Sequence, residues 1–179
     1  MKDDASFFRQ VFDAQYGYVY HSLRRLGVEM RDLEDLAHDV FVEVFENLHR
    51  YDRARPIKPW LFAFAFRFAS DYRRLARHKT GLGVGDDDAV ANDPSAEEAL
   101  FDREAAALVR RALEAMPIEQ RAVFVLYEID ETPMREIADS MGISVNTAYS
   151  RLRLARATFA AHAEELRLST ERSEKGESE

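Results

Sequence analysis

Small polar side chains and arginines follow one another at helical spacing near the C-terminal end of this 179-residue chain. Ser144 is a good N-cap, and the turns after it carry Asn146, Thr147, Ser150, Arg151, Arg153 and Arg156. Hydroxyls and amides near a helix N-terminus can bind base edges in the major groove, and arginine can bind guanine or phosphate. The pattern predicts a DNA-reading helix. An ordinary helical hairpin with a polar outer face would give the same short pattern.

The residues before this helix predict the turn that positions it. A short helix is expected from Pro133 to Met141, and Gly142 follows it. Glycine adopts positive φ more easily than any other residue, and a sharp turn between helices requires such a φ. Ile143 can then pack on Ala148, one turn into the next helix, as a hydrophobic staple. Together these features predict a helix-turn-helix.

A second stretch combines arginines with aromatic residues, in a helix predicted from about Trp60 to Arg77. One stripe of this helix carries Arg67, Ser70, Arg74 and Arg77. Leu61, Phe64, Phe68 and Leu75 are expected to be buried, whereas Phe62 and Phe66 stand on another side. Rings that stack on bases and arginines that hold phosphates suit single-stranded DNA. Aromatic residues that serve only the core are the alternative.

The clearest helical pattern runs from Leu33 to Leu48. Its apolar residues, Phe41 and Phe45 among them, follow the three-and-four rhythm of one buried face. The opposite face carries Glu34, Asp35, His38, Asp39, Glu43 and Glu46. Such a face is either ordinary solvated surface or a docking surface for a basic partner helix, and composition does not decide between them.

The fold class predicted from the chain as a whole is all-α, because 7 glycines and 5 prolines in this length indicate long helices and few turns. Two small helical domains are expected at 1–78 and 95–168. A flexible linker at 79–94 is rich in glycine and aspartate, which loosen the backbone and keep it solvated. A polar tail at 169–179 is expected to be disordered.

Composition argues against several classes of function. The chain has no cysteine, which excludes disulfides, thiolate nucleophiles and cysteine metal sites. Its five histidines show no metal-ligand spacing, and no nucleophile–base pair can be named, so neither a metal, a cofactor nor an enzymatic activity is expected. We expect a cytoplasmic protein without membrane insertion. The net charge of -8 suggests that the two basic stretches bind DNA with help from a partner.

Several of these motifs, taken in order, resemble a known family. Residues 34–41, 59–61 and 71–74 look like region 2 of bacterial sigma factors, and residues 113–124, 136–138 and 146–152 look like region 4. Because only these two regions and a short linker are present, the chain resembles the extracytoplasmic-function (ECF) group of the sigma-70 family. The resemblance covers roughly residues 6–165.

The resemblance implies a transcription initiation factor that binds core RNA polymerase and recognises promoter DNA. The residues that would dock on the clamp helices of the polymerase β′ subunit are Asp35, His38, Asp39 and Phe41. The residues that would contact the −10 element are Trp60, Arg67, Ser70, Arg74 and Arg77, and the loop 52–58 would hold a flipped base. The residues that would contact the −35 element are Ser144, Asn146, Thr147, Ser150, Arg151, Arg153 and Arg156. The helix near residues 122–126 would meet the β-flap, and many members have an inhibitory anti-sigma partner.

Departures from the family pattern affect the promoter sequence rather than the class. His38 replaces the usual glutamine, and Arg67 replaces a common asparagine in the −10 helix. Two alternatives remain open. A stand-alone helix-turn-helix regulator would leave the acidic helix and the Trp60 region unexplained, and a helical adaptor that binds only proteins would leave the arginine stripes unexplained.

Overall fold

A computed structural model describes residues 2–79 and 107–176, with side chains over 5–76 and 107–164. The first segment contains three long helices, α1 (Lys2–Arg25), α2 (Leu33–Asn47) and α3 (Ile57–Lys79). Single 3₁₀ turns at Met30–Asp32 and Leu48–Arg50 flank α2. All but the first residue of the predicted linker at 79–94 lies outside the described residues.

The second segment is also helical. It contains α4 (107–114), α5 (Ile118–Phe124), a π-helical turn (Val125–Ile129), α6 (Met134–Met141) and α7 (Val145–Gly176). The described residues contain no strand, and the predicted all-α fold is confirmed. The helix expected from Pro133 begins one residue later, because Pro133 is its N-cap, and Pro117 is the N-cap of α5; both have an extended ψ near 140°.

The N-terminal domain is a bundle in which α1, α2 and α3 pack against one another. Its core contains Leu23, Leu33, Val40 and Leu61, none of which is exposed. On α3 the buried stripe continues through Phe62, Ala65 and Ala69, each fully buried. The two alanines allow the helices to approach closely. Burying these side chains away from water is the main favourable contribution to the fold.

The orientation of two helices differs from the sequence expectation. Phe62, expected on another side of α3, is fully buried, and Leu75, expected in the core, is 58% exposed. Phe45, expected on the buried face of α2, is 51% exposed. A single residue step turns a helix by about 100°. Neighbouring helices therefore decide which of several adjacent apolar residues is buried.

The C-terminal domain is built around α5, α6 and α7, whose facing residues Ala122, Ile137, Ala148 and Leu152 are 0–1% exposed. The last helix is longer than expected. The tail predicted to be disordered from residue 169 continues α7 as far as Gly176, and residues 177–179 lie outside the described residues. Adding residues to an existing helix costs much less than starting one, so the polar sequence does not end it.

The two domains pack against each other, with α3 in contact with α6. One continuous cluster of buried apolar residues contains members of both domains, such as Leu23 and Leu61 from the first and Leu126 and Ile137 from the second. Arg121 of α5 is only 1% exposed. No helix in the described part of the chain is both long and apolar enough to span a bilayer.

Candidate nucleic-acid and protein interfaces

The turn between α6 and α7 has the geometry expected of a helix-turn-helix. Gly142 adopts a left-handed conformation with φ +64° and ψ +35°. Its backbone N–H donates to the carbonyl of Asp139 at 3.3 Å, and the N–H of Ile143 donates to the carbonyl of Ala138 at 3.0 Å. These bonds satisfy carbonyls at the end of α6 and direct the chain into α7.

The first turn of α7 is capped by a side chain. The N–H of Thr147 donates to Oγ of Ser144 at 3.0 Å, and the two hydroxyl oxygens lie 2.8 Å apart. Such a cap satisfies a backbone donor that has no partner within the helix. In this structure the two hydroxyls therefore order the start of α7, although the sequence suggested base contacts for both.

The outer face of α7 presents a mixed polar and aromatic surface. Asn146, Ser150 and Arg153 are exposed, and Tyr149 between them is 54% exposed. The buried residues Ala148, Leu152 and Ala155 occupy the opposite face. Tyr149 was missed in the sequence analysis. Tyr149 is three residues after Asn146 and four before Arg153, a spacing that places all three side chains on one face of a helix and could have identified it.

The arginines of α7 differ in their surroundings. Arg156 forms a salt bridge of 2.6 Å with Glu128 and lies 5.4 Å from the ring centre of Tyr127. Arg153 is exposed and makes no ion pair with any described residue. Arg151 is half-buried. Arg153 is thus the arginine with the greatest freedom to contact a ligand, while Arg156 already has a partner.

The basic stripe of α3 is partly paired with carboxylates. Arg67 forms a salt bridge of 2.8 Å with Glu43 of α2, and Arg74 forms one of 3.0 Å with Asp71. The hydroxyl of Ser70 donates to the carbonyl of Phe66 at 2.7 Å. The side chain of Arg77 lies outside the described residues. Exposed ion pairs are weak, so a phosphate could displace these carboxylates at little cost.

Four aromatic rings form a continuous row beside this stripe, and we call it the aromatic row. Phe7 stacks on Tyr51 at 6.3 Å, Tyr51 lies 4.9 Å from Trp60, and Trp60 lies 4.9 Å from Phe64. Burial, with a smaller contribution from Asp52, raises the pKa of Tyr51.

Guanidinium groups lie over both ends of the aromatic row. Arg53 lies 4.2 Å from the ring centre of Phe7, and Arg67 lies 5.3 Å from that of Phe64. Arg53 belongs to the loop 52–58 that was predicted to hold a flipped base, whereas Phe7 and Tyr51 were not among the predicted site residues. Rings flanked by cations are typical of surfaces that bind single-stranded nucleic acid.

A shallow, mostly apolar depression lies beside the loop that follows Tyr51. It is lined by residues of α1, the loop and the start of α3, including Phe7, Gln10, Gln15, Arg53 and Ile57. Oε1 of Gln15 is buried and has no hydrogen-bond partner among the described residues. A buried acceptor without a donor is unfavourable.

The exposed face of α2 combines acidic and apolar side chains. Asp35, His38 and Asp39 are exposed, and Val42, one turn further along, is 60% exposed. Asp35 and Asp39 make no ion pair within the described part of the chain. Nδ1 of His38 donates to the carbonyl of Glu34 at 2.7 Å, because a carbonyl can only accept.

The prediction that Phe41 belongs to the docking surface is wrong. It is 2% exposed, and its ring packs against Phe12 at 4.8 Å and Tyr16 at 6.0 Å. A side chain enclosed by α1 in this way cannot touch a partner. Phe45, 51% exposed and 4.9 Å from Phe8, is the aromatic residue of α2 that is available at the surface.

The segment expected to meet a second partner surface is also buried. Residues 122–126 are 0–7% exposed, because they form the core beneath α7, where Phe124 stacks on Phe159 at 5.2 Å. Glu119, in the first turn of α5, is exposed. Across the described residues, no group of three or more potential ligands is arranged to hold a metal ion.

A capped helix-turn-helix beside a bundle with an arginine-flanked aromatic row defines a two-domain DNA-binding protein. Two family models match the chain, Sigma-70 region 2 over residues 11–79 and Sigma-70 region 4 over residues 106–159. The chain belongs to the ECF group of the sigma-70 family, and it is a transcription initiation factor that directs RNA polymerase. A stand-alone regulator is not favoured, since the region 2 match accounts for the N-terminal domain.

Relatives with curated descriptions agree with this assignment. CnrH, an RNA polymerase sigma factor of Cupriavidus metallidurans, is 31% identical over 146 residues, which cover 77% of this chain and 76% of CnrH. SigW, an ECF sigma factor of Bacillus subtilis, is 24% identical over 162 residues, 84% of this chain and 86% of SigW. SigE of Mycolicibacterium smegmatis is 31% identical over 136 residues; the match covers 75% of this chain and about half (52%) of SigE.

Solved structures show the same fold. CnrH in complex with the cytosolic domain of CnrY matches with a TM-score of 0.63 and 25% identity, covering 88% of each chain. The sigma factor RpoE in complex with the anti-sigma factor NepR from Bartonella quintana matches with a TM-score of 0.68. That match has 20% identity and covers 92% of this chain and 98% of RpoE.

Proposed function

We propose that the chain docks on the β′ clamp helices of core RNA polymerase through α2, reads −10 DNA with α3 and the aromatic row, and reads −35 DNA with α7. The observation that carries this division of roles is the exposure of polar and charged side chains on three separate faces. Asp35 and Asp39 are exposed on α2, Arg67 lies at one end of the aromatic row that contains Trp60, and Asn146 and Arg153 are exposed on α7. The protein acts as a DNA-directing subunit, not as a catalyst, and works in the cytoplasm with the polymerase.

The docking surface consists of Asp35, His38, Asp39, Val42 and Phe45. Carboxylates around exposed apolar side chains fit a partner helix that carries basic residues beside apolar ones. The charges steer the encounter, and the apolar side chains supply area that is removed from water. The β-flap contact would use exposed residues of α5 such as Glu119, because the core residues behind them are enclosed.

The −10 surface recognises strand-separated DNA. Bases can stack along the aromatic row while Arg53, Arg67 and Arg74 contact phosphates. The depression beside the loop 52–58 suits one extruded base, because ring atoms can lie against Phe7 and Ile57.

The −35 surface is the outer face of α7. Asn146 and Ser150 can hydrogen-bond to base edges, Arg153 can bind guanine, and the ring of Tyr149 can contact a thymine methyl group.

We also propose an inhibitory anti-sigma partner. Support comes from the two similar structures, in which CnrH is bound by CnrY and RpoE by the anti-sigma factor NepR.

Two measurements test the proposed function. Purified protein and bacterial core RNA polymerase should co-elute in size-exclusion chromatography. The resulting holoenzyme should then select fragments with two conserved elements from a random DNA library, whereas core polymerase alone should select none. Tight duplex binding by the chain alone, without polymerase binding, would instead identify a stand-alone regulator.

A further inference from the structure

An ion pair joins α2 to α3 at the edge of the −10 surface. Oε1 of Glu43 lies 2.8 Å from Nη2 of Arg67, and the two side chains are 35% and 53% exposed. The same guanidinium lies 5.3 Å from the ring centre of Phe64, which ends the aromatic row. The carboxylate of Glu43 therefore occupies one donor of a cation that the proposed function assigns to DNA.

Glu43 is the last carboxylate in a line along α2. Asp35, Asp39 and Glu43 follow one another at a spacing of four residues, so their side chains are neighbours on one side of the helix, where like charges repel slightly. Asp35 and Asp39 form no ion pair within the described part of the chain. Glu43 differs from them because a cation of the neighbouring helix neutralises it.

A second donor holds the Glu43 carboxylate in place. Nδ2 of Asn47, one turn further along α2, donates to Oε1 of Glu43 at 3.4 Å and to its backbone carbonyl at 2.9 Å. Oε1 thus accepts hydrogen bonds from two side chains, one on each helix. The carboxylate is therefore already ordered beside Arg67 before any DNA binds.

A DNA phosphate and the Glu43 carboxylate are the same kind of partner for Arg67. Both present charged oxygens, with which a guanidinium forms its strongest hydrogen bonds. The ring centres of Phe64 and Phe68 lie 5.3 and 5.9 Å from the guanidinium carbon, so Arg67 stands beside the rings on which bases can stack. Because exposed ion pairs are weak, a phosphate can displace the carboxylate. The displacement nevertheless reduces the free energy that the phosphate contact contributes.

We propose that Glu43 is an internal competitor of DNA phosphate for Arg67, and that it lowers the contribution of backbone contacts to −10 binding. Phosphate contacts carry no direct sequence information, whereas contacts with base edges do. With a weaker phosphate contact, a larger share of the affinity comes from the bases. This inference rests on the proposed function, because it requires α3 to face −10 DNA.

The test compares purified holoenzymes for their affinity toward a fragment selected with core polymerase and prepared with a single-stranded −10 segment. Glu43→Gln keeps the shape of the side chain and removes its charge. It should raise the affinity about threefold to fivefold, the upper range for loss of an exposed ion pair. Glu46→Gln is the matched control, since Glu46 is exposed on the next turn of α2 and forms no ion pair with any described residue. At about 0.15 M salt, screening should keep the effect of the control below about twofold.

A double-mutant cycle shows whether Glu43 acts through Arg67. Arg67→Ala should lower the affinity and reduce the slope of log affinity against log salt by about 0.7, the value for one phosphate of a single strand. Adding Glu43→Gln to Arg67→Ala should change the affinity no more than Glu46→Gln does. A residue needed only for folding would give no gain of affinity in either background. Circular dichroism checks that every variant stays helical.

Three results would overturn the proposal. Unchanged or lower affinity of the Glu43→Gln holoenzyme would show that the carboxylate does not compete with DNA. An equal gain from Glu46→Gln would indicate a general effect of net charge, and a gain that persists without Arg67 would indicate direct repulsion between Glu43 and the strand. A wild-type holoenzyme that binds none of the DNA would contradict the proposed function, whereas normal promoter binding with any of the three results would contradict this inference alone.

Discussion

The hydroxyl of Tyr18 lies 2.7 Å from Oδ2 of Asp130 and joins two residues that are 112 positions apart in the chain. Burial raises the pKa of Tyr18, and the charge of Asp130 raises it further. The hydroxyl therefore keeps its proton, and its role as donor, throughout the physiological pH range. A hydrogen bond between the domains thus combines a neutral donor with a nearly buried carboxylate.

Tyr18→Phe should destabilise the contact between domains. The substitution keeps the ring and removes the donor, which leaves the Asp130 carboxylate with one partner fewer. The expected loss in the free energy of unfolding is about 1–3 kcal/mol, measured by urea denaturation. Tyr20→Phe is the control, since Tyr20 makes no described hydrogen bond and should change the value by less than about 0.5 kcal/mol. Equal effects of both variants would contradict the assigned role.

Two glycines of the N-terminal domain should respond in opposite ways to alanine. Gly27→Ala adds a Cβ beside two guanidinium groups at a φ of +94°, and it should cost about 2 kcal/mol or more. Gly17 lies within α1 with no heavy atom near its missing Cβ, so Gly17→Ala should stabilise the chain by about 0.5–1 kcal/mol. Thermal unfolding measures the melting temperature of both variants. If both melting temperatures shift in the same direction, the close packing assigned to Gly27 is contradicted.

The stability of the N-terminal domain should fall at alkaline pH. Burial and the hydrogen bond from its hydroxyl to Asp32, at 2.6 Å, raise the pKa of Tyr72 from 10 to about 12. Because the folded chain holds this proton more tightly than the unfolded chain, the stabilisation is complete below pH 10 and is lost between pH 10 and about 12. Urea denaturation across this range should show the decline. Tyr72→Phe should make the fall of the unfolding free energy with pH less steep, although Tyr18 continues to contribute to that fall.

Arg153 and Arg156 should contribute unequally to −35 recognition. Arg153→Ala removes an exposed guanidinium that has no ion pair among the described residues, and it should weaken binding to the selected element by about 1–3 kcal/mol if the side chain reads a base. Arg156→Ala should have the smaller effect, because Glu128 already holds that guanidinium at 2.6 Å. Fluorescence anisotropy with matched and scrambled −35 duplexes separates the two cases. An equal loss by Arg153→Ala on every duplex would indicate a phosphate contact instead.

Removal of the exposed Asp35 and Asp39 carboxylates of α2 should weaken polymerase binding without unfolding the chain. Asp35→Ala combined with Asp39→Ala should reduce the association rate with core polymerase and its salt dependence, because exposed charges act mainly on encounter. Surface plasmon resonance at two ionic strengths measures both. Glu114→Ala, an exposed site in the C-terminal domain, is the control. Unchanged binding of the double variant would remove α2 from the docking surface.

Features set by neighbouring residues could be predicted from the sequence. The all-α class, the turn at Gly142 and the cap at Ser144 depend on backbone preferences and on hydrogen bonds spanning three or four residues. The rotation of α2 and α3 could not be predicted, because Phe45 and Phe62 each stand beside another apolar residue. Only the packed partner decides which of the two is enclosed.

Sites assembled from separate segments of the chain could not be predicted for the same reason. Trp60 was identified by its own neighbours, whereas Phe7 joins it through the packing of α1 on α3, and Tyr51 joins it through the connection between α2 and α3. Tyr18 and Asp130 carry no local signal that they meet. The part of the site that lies on one helix could be predicted, and the part that lies between helices required the structure.

The shared cluster of buried apolar residues gives the separation of the domains a heat-capacity change. Separating the domains exposes apolar surface to water, so the heat-capacity change of separation is positive. The hydrophobic attraction between the domains therefore weakens on cooling. The strength of the contact between the domains should therefore vary with temperature even when the concentrations of all ligands stay constant.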